Sequence, residues 1–102
     1  MIIFYSEYQC DRDKQADTQA FFAHMTDEQI ASEIPTGVKL VGRWHDIPNG
    51  SGVAIIETDD QDAMLSWMMG WSAFCTFPVL KPVVDDATGR AIIKSMMAAQ
   101  AE

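Results

Sequence analysis

The 102-residue sequence predicts an α+β domain with the strand–helix–strand–strand–helix–strand (βαββαβ) order of a ferredoxin-like fold, followed by one added C-terminal helix. Two observations predict it. An Asn49-Gly50 turn joins two β-rich runs, which is the strongest short hairpin signal. Four large apolar side chains then recur at the i, i+3, i+4, i+7 spacing of an amphipathic helix. These are Met64, Trp67, Met68 and Trp71.

The first half of the chain contains one strand and two helical segments. The run from Ile2 to Tyr8 is rich in β-branched and aromatic residues and predicts the first strand. A polar connection over residues 10–14 leads into the first helix. Thr26-Asp27-Glu28-Gln29 then matches a capping box, so a break and a second short helix are expected there, ending at Pro35.

The remaining elements follow from turn signals. The hairpin strands are expected at residues 38–47 and 53–58, and a fourth strand at residues 74–84. Pro78 and Pro82 confine that fourth strand to a sheet edge or an irregular position, because proline cannot donate a ladder hydrogen bond. The C-terminal helix carries Ile92, Ile93, Met96 and Met97 on its apolar side.

Charge and composition exclude several classes of partner. The net charge is −8, from 15 acidic and 7 basic residues, and the basic residues are scattered along the chain. A nucleic-acid binder needs a basic face, and an anionic membrane repels an acidic protein, so neither partner is expected. At 102 residues the chain is near the usual size of one domain, and a single domain over residues 1–102 is predicted.

The N-terminus, the length of the apolar runs and the two cysteines bear on localisation and cofactor content. The N-terminus has no basic region, and no apolar run approaches the ~20 residues of a membrane-spanning helix. Cys10 and Cys75 have neither metal-site spacing nor a disulfide pattern. We therefore expect a cytoplasmic protein with reduced thiols, no metal site and no cofactor.

The predicted sheet needs cover on both faces. Two crossover units and one hairpin give a four-stranded antiparallel sheet with two helices on one face. Because the strands carry apolar residues on both sides, a bare second face is unfavourable for a monomer. Two sheets packed face to face would form a dimeric α/β barrel, so the chain itself is the expected partner.

A family resemblance points the same way. The strand Gly42-Arg43-Trp44-His45, before a Gly-rich turn, resembles a small family of dimeric α/β-barrel proteins filed as a domain of unknown function. The sequence departs from it by lengthening residues 26–35. The resemblance implies a ferredoxin-like dimeric barrel but no catalytic residues. Broader relatives include cofactor-free monooxygenases, haem-degrading enzymes and small-ligand binders; a haem-ligating histidine expected on the second main helix is missing from residues 60–71.

Arg43 and His45 are the main candidate ligand-binding residues. Side chains alternate along a strand, so these two share a face, together with Ala54, Ile56 and Thr58 if the hairpin loop keeps parity. If this face lines the barrel, Arg43 is suited to hold an anionic group and His45 to act as acid or base. The alternative is that both residues make ordinary hydrogen bonds at the dimer interface or on the surface. Trp44 points the other way, and we expect it in the core against the helices.

Tyr5 and Glu57 are weaker candidates for the same kind of site. Tyr5 supplies a hydroxyl that suits a cavity, although an interface tyrosine is the alternative. Glu57 is a carboxylate on an apolar strand, and either a buried partner or exposure at the strand end accounts for it.

Three functions remain open from the sequence. The first is a homodimeric barrel protein that binds a small molecule. The second is an enzyme, a cofactor-independent monooxygenase or isomerase that uses the barrel cavity with Arg43 and His45. The third is a structural or interaction module.

Overall fold

The computed structural model describes residues 1–101 and contains four strands and four α-helices in the predicted order. A short 3₁₀ turn follows the first strand. The elements are β1 (Ile2–Cys10), α1 (Gln15–Ala23), α2 (Asp27–Glu33), β2 (Val38–Asp46), β3 (Ser51–Thr58), α3 (Gln61–Gly70), β4 (Cys75–Val83) and α4 (Asp86–Gln100).

The strands form one antiparallel sheet in the order β2-β3-β1-β4, which is the ferredoxin-like arrangement. Gly50 adopts the positive φ of 64° that the β2–β3 turn requires, a region that glycine enters without strain. The predicted hairpin is therefore confirmed. β4 is an edge strand, in accord with Pro78 and Pro82.

The main core lies between one sheet face and α3. Phe4 and Ile56 from the sheet pack with Met64 and Met68, which are 0% and 7% exposed. Trp67 is partly buried against this cluster. The predicted apolar stripe thus packs α3 on the sheet, and burial of these side chains stabilises the domain by about 1.5–3 kcal/mol each.

The helix starts follow the local capping signals. Thr26 Oγ1 accepts from the Gln29 backbone N–H at 3.1 Å, while Gln29 Oε1 accepts from the Thr26 N–H at 2.9 Å. This reciprocal pair is the capping box that the sequence predicted at α2. At the starts of α3 and α4, the Asp60 and Asp85 carboxylates each accept one backbone N–H, from Ala63 and Thr88, without the reciprocal bond.

The prediction that Trp44 packs in the core is wrong. Trp44 is 58% exposed and lies on the sheet face opposite the helices. Its ring lies directly over Gly42, where any Cβ would collide with it. A register shift between Leu40 and Gly42 puts Leu40 on the helix side, opposite Ile56, so Leu40 and Trp44 lie on opposite faces although strict alternation would put them on the same one.

The face that turns away from the helices is called the open face here. It carries mostly apolar and aromatic side chains with a few charges among them. The open face includes side chains from all four strands: Ile3, Tyr5, Glu7, Trp44, Val53, Ile55, Glu57 and Lys81. No helix within residues 1–101 combines the length and apolar character needed to cross a membrane.

Candidate functional site

A cavity of about 310 Å³ lies between the helix side of the sheet and helices α1 and α3. Its wall is largely apolar and aromatic, and the polar groups of Tyr8, Arg43 and His45 project into it. This composition, a mostly apolar pocket with a few placed polar groups, is typical of small-molecule sites. The aromatic lining comes from Tyr8, Phe22, Trp67, Trp71 and Phe77.

The structure brings Arg43 and His45 to one wall of this cavity. The four-residue turn keeps parity, and Arg43 pairs with Ala54 while His45 pairs with Gly52. Both side chains consequently point to the helix side, together with Ala54 and Ile56, as predicted for that face. The cavity lies beneath the chain's own helices, on the other side of the sheet from the open face, so Arg43 and His45 do not line the barrel space that two facing open faces would enclose.

Tyr8 and His45 form a close polar pair in the cavity. The Tyr8 hydroxyl lies 2.6 Å from His45 Nδ1, and the two rings meet edge to face. Phe22 of α1 packs on the other side of the imidazole, with ring centroids 5.0 Å apart. When Tyr8 donates to Nδ1, Nε2 carries the proton and is a donor; in the other tautomer Nε2 is free to accept a proton.

Burial sets the charge state of this pair. Desolvation, helped by the nearby Arg43 charge, lowers the pKa of His45 below its ordinary value. Desolvation raises the pKa of the Tyr8 phenol. Both groups are therefore neutral at pH 7, and the pair offers hydrogen bonds without a formal charge.

Acid is expected to destabilise the protein through His45. Below the ordinary histidine pKa of about 6.5, the unfolded chain binds a proton that the folded chain, with its lowered pKa, does not bind. Stability therefore falls as the pH drops through this window. We expect the stability of His45→Asn, measured by thermal unfolding, to fall less than that of wild type between pH 7 and pH 5. His24→Asn, at an exposed position after α1, should match wild type; equal profiles for all three proteins would contradict this assignment.

Arg43 is held by a carboxylate from α2. Its Nη2 donates to Glu33 Oε1 at 2.7 Å, and the two side chains are only 14% and 11% exposed. Glu33 Oε2 accepts from the indole N–H of Trp71 at 3.0 Å and from that of Trp67 at 3.4 Å. One carboxylate thus joins β2, α2 and α3 across the end of the cavity.

This pairing changes the role expected for Arg43. Its charge is already balanced by Glu33, and its guanidinium carbon lies 5.0 Å from the centre of the Phe22 ring. An anionic ligand would have to compete with a buried carboxylate for the same cation. The arrangement suits a neutral ligand better than the anionic group that the sequence predicted.

The cysteines are neighbours on the cavity wall and have unreactive thiols. Cys10 and Cys75 are paired residues of β1 and β4, and both are buried and free. Burial raises the pKa of Cys10 and raises that of Cys75 to about 11. Neither thiol is therefore a thiolate at neutral pH, the form in which cysteine acts as a nucleophile.

Tyr5 and Glu57 lie on the opposite side of the sheet from Arg43 and His45. The Tyr5 hydroxyl donates to Glu7 at 2.7 Å, and the Lys81 ammonium lies 5.5 Å from the centre of the Tyr5 ring. Glu57 is half-buried on the same open face, opposite Ile3 and Lys39. The four predicted residues therefore fall into two groups, one in the cavity and one on the open face.

Sequence reasoning missed Tyr8 and Glu33. Side chains alternate along β1, so Tyr8 shares a face with Phe4 and Ser6, and that face packs toward the core. The same alternation grouped Arg43 with His45 on β2, and applying it to β1 was the available signal for Tyr8. Glu33 stands in the last turn of α2, where the helix dipole disfavours a carboxylate. That unfavourable position was the available signal that Glu33 has a partner elsewhere.

One known family matches the chain, and the match covers nearly the whole sequence. The model of the domain of unknown function DUF3303 matches residues 2–97. The chain belongs to this family. No curated protein and no solved structure matches the DUF3303 chain. Within residues 1–101, its histidine, cysteine and acidic side chains form no cluster of three that would hold a metal ion.

Proposed function

We propose that this DUF3303 protein is a homodimer that binds a small, neutral, largely aromatic molecule in the cavity of each subunit. The observation that carries the proposal is the aromatic cavity with the neutral Tyr8–His45 pair on its wall. A ligand hydroxyl or carbonyl would bond to His45 Nε2, and its ring would pack among Phe22, Trp67 and Trp71.

The size and polarity of the cavity support this ligand class. About 310 Å³ is at the lower end of the range for small-molecule pockets, which favours one or two fused rings over a nucleotide. The pairing of Arg43 with Glu33 disfavours a charged ligand, because a buried ion pair would have to be broken.

The homodimer is proposed from the open face. Trp44, at 58% exposed, lies there with half-buried Ile3, Tyr5 and Ile55, which form a broad apolar surface without cover from the subunit's own helices. Burying such a face against a second copy gives the face-to-face sheet packing of a dimeric barrel. Free thiols at Cys10 and Cys75 fit a reducing compartment, and we propose the cytoplasm.

Titration with 2-naphthol tests the binding proposal. This neutral probe has two fused rings and one hydroxyl, and its binding can be followed by NMR shift changes at cavity residues. Tyr8→Phe should weaken binding about 3- to 10-fold, because it removes the hydroxyl that orients His45, a hydrogen bond of about 0.5–1.5 kcal/mol.

Tyr5→Phe is the matched control on the same strand. Tyr5 lies on the open face, so its hydroxyl is remote from the cavity, and this variant should bind 2-naphthol like wild type. Shift changes confined to the open face, or no saturable binding at all, would count against a cavity ligand and favour a structural or interaction module.

A second candidate is an enzyme that uses the Tyr8–His45 pair for proton transfer. The short 2.6 Å contact and the lowered pKa of His45 favour it, since a neutral imidazole can accept a proton near pH 7. A cofactor-independent monooxygenase or isomerase would act on a carbonyl or enol substrate here. His45→Ala should then abolish turnover with the fold intact, and unchanged turnover would remove His45 from the mechanism.

A further inference from the structure

Helix α4 carries an apolar stripe that contacts no other part of its own subunit closely enough to bury it. All its residues except Gly89 are exposed along 15 positions. Its four large apolar side chains are about half exposed or more, and they recur at helical spacing on one side. They are Ile92 at 49%, Ile93 at 59%, Met96 at 57% and Met97 at 62%.

An isolated helix of this length is only marginally stable in water. Helices shorter than about 15 residues form weakly without tertiary contacts, and most helical stability in proteins comes from packing of an apolar face. The stripe on α4 therefore needs a partner surface.

Charge indicates the chemistry of that partner. Residues 1–85 contain 13 acidic and five basic side chains, whereas α4 carries Arg90 and Lys94 after the single Asp86 in its first turn. Arg90 and Lys94 are four residues apart and border one side of the stripe. A cationic, amphipathic arm on an acidic body is complementary to a second copy of that body.

The sheet topology, combined with the proposed face-to-face dimer, gives a position for the arm on the second copy. β4 and β2 are opposite edges, and the end of β4 lies at the same end of the sheet as Thr58 and the start of β2. When two sheets pack face to face about a two-fold axis along the strands, the β4 end of each lies over the β2 start of the other. The loop that follows β3 and the start of α3 carry three acidic residues at that end: Asp59, Asp60 and Asp62. Asp59 lies 3.6 Å from the N-terminal ammonium of Met1, and the other two carboxylates form no ion pair with the cations of residues 1–101.

We propose that α4 of each subunit docks on a second copy of the chain, beside the end loop that carries Asp59, Asp60 and Asp62. The stripe is buried against the other subunit, and Arg90 and Lys94 face the acidic loop. The inference rests on the proposed homodimer and adds that dimerisation requires exchange of the C-terminal helices.

The dimer dissociation constant of the full chain, measured by sedimentation velocity, tests this. Ile93→Asp with Met97→Asp should raise it at least about tenfold, because two buried apolar contacts are replaced by carboxylates. The matched control, Ala91→Asp with Ala98→Asp, adds the same two charges on the opposite side of α4 and should stay within about twofold of wild type.

The outcomes separate the two proposals. A stripe variant that dimerises as tightly as wild type would overturn the exchange of α4 and leave the homodimer standing. A wild-type chain that stays monomeric at all concentrations would overturn both. Co-sedimentation of monomeric wild type with phosphatidylcholine vesicles containing phosphatidylserine would assign the stripe to a membrane surface and overturn the exchange.

A charge exchange tests the docking position. Arg90→Glu with Lys94→Glu should weaken the dimer, and adding Asp59→Lys with Asp62→Lys to that variant should restore at least half of the lost affinity. Asp60 is left unchanged because it caps α3. Failure of the second pair to restore any affinity would show that α4 docks elsewhere.

Discussion

Replacing Ala54 by phenylalanine is expected to weaken 2-naphthol binding strongly while the domain stays folded. Ala54 lines the cavity from the central strand β3, opposite Arg43, so a larger side chain there occupies the space proposed for the ligand. We expect the dissociation constant to rise at least about 30-fold, since a ligand that must displace a packed ring loses about 2 kcal/mol.

The same substitution should have little effect on stability. The added ring fills existing apolar space, so its burial offsets part of the 1–3 kcal/mol that overpacking typically costs. Ala31→Phe is the control, because it adds the same ring at an exposed position of α2 outside the cavity and should leave binding unchanged. Tight binding by folded Ala54→Phe would show that 2-naphthol binds elsewhere.

Glu33→Ala is expected to be the most destabilising single substitution, with a loss of about 3 kcal/mol in the free energy of unfolding. It leaves the Arg43 charge unpaired where the side chain is only 14% exposed. It also removes the acceptor of the Trp71 and Trp67 indole N–H groups. Urea unfolding at one fixed protein concentration, followed by tryptophan fluorescence, measures the effect.

Two further variants test whether the unpaired Arg43 charge causes the loss of stability in Glu33→Ala. Glu28→Ala removes an exposed carboxylate from the first turn of the same helix and should cost less than about 1 kcal/mol. Glu33→Leu with Arg43→Met removes both charges together and should recover part of the loss, because no unpaired charge remains. A loss below 1 kcal/mol for Glu33→Ala would mean that water already stabilises Arg43 in the cavity.

Local signals predicted most of the fold correctly. The Asn49-Gly50 hairpin, the Thr26 capping box and the α3 stripe each depend on residues a few positions apart, and each occurs in the structure where it was expected. The order of elements then leaves few ways to form one antiparallel sheet. The ferredoxin-like arrangement follows from these constraints.

The side of the sheet that each strand residue occupies was only partly predictable. Alternation placed Arg43 and His45 on one face correctly, because the turn between the strands keeps parity. The bulge between Leu40 and Gly42 puts Leu40 on the helix side. Its local signal is Gly42, because an isolated glycine inside a strand often marks a bulge, and strict alternation does not take this into account. Trp44 was expected to pack against the helices, yet its ring covers Gly42 on the open face.

The sequence alone thus determined the elements, their order and the pairing of Arg43 with His45 on one face, because these depend on backbone propensities and on neighbours close in the chain. Only the tertiary structure decided that this face meets the helices, that Glu33 neutralises Arg43 and that Tyr8 bonds His45. Tyr8 and His45 are 37 residues apart, and such contacts depend on how helices and sheet pack together.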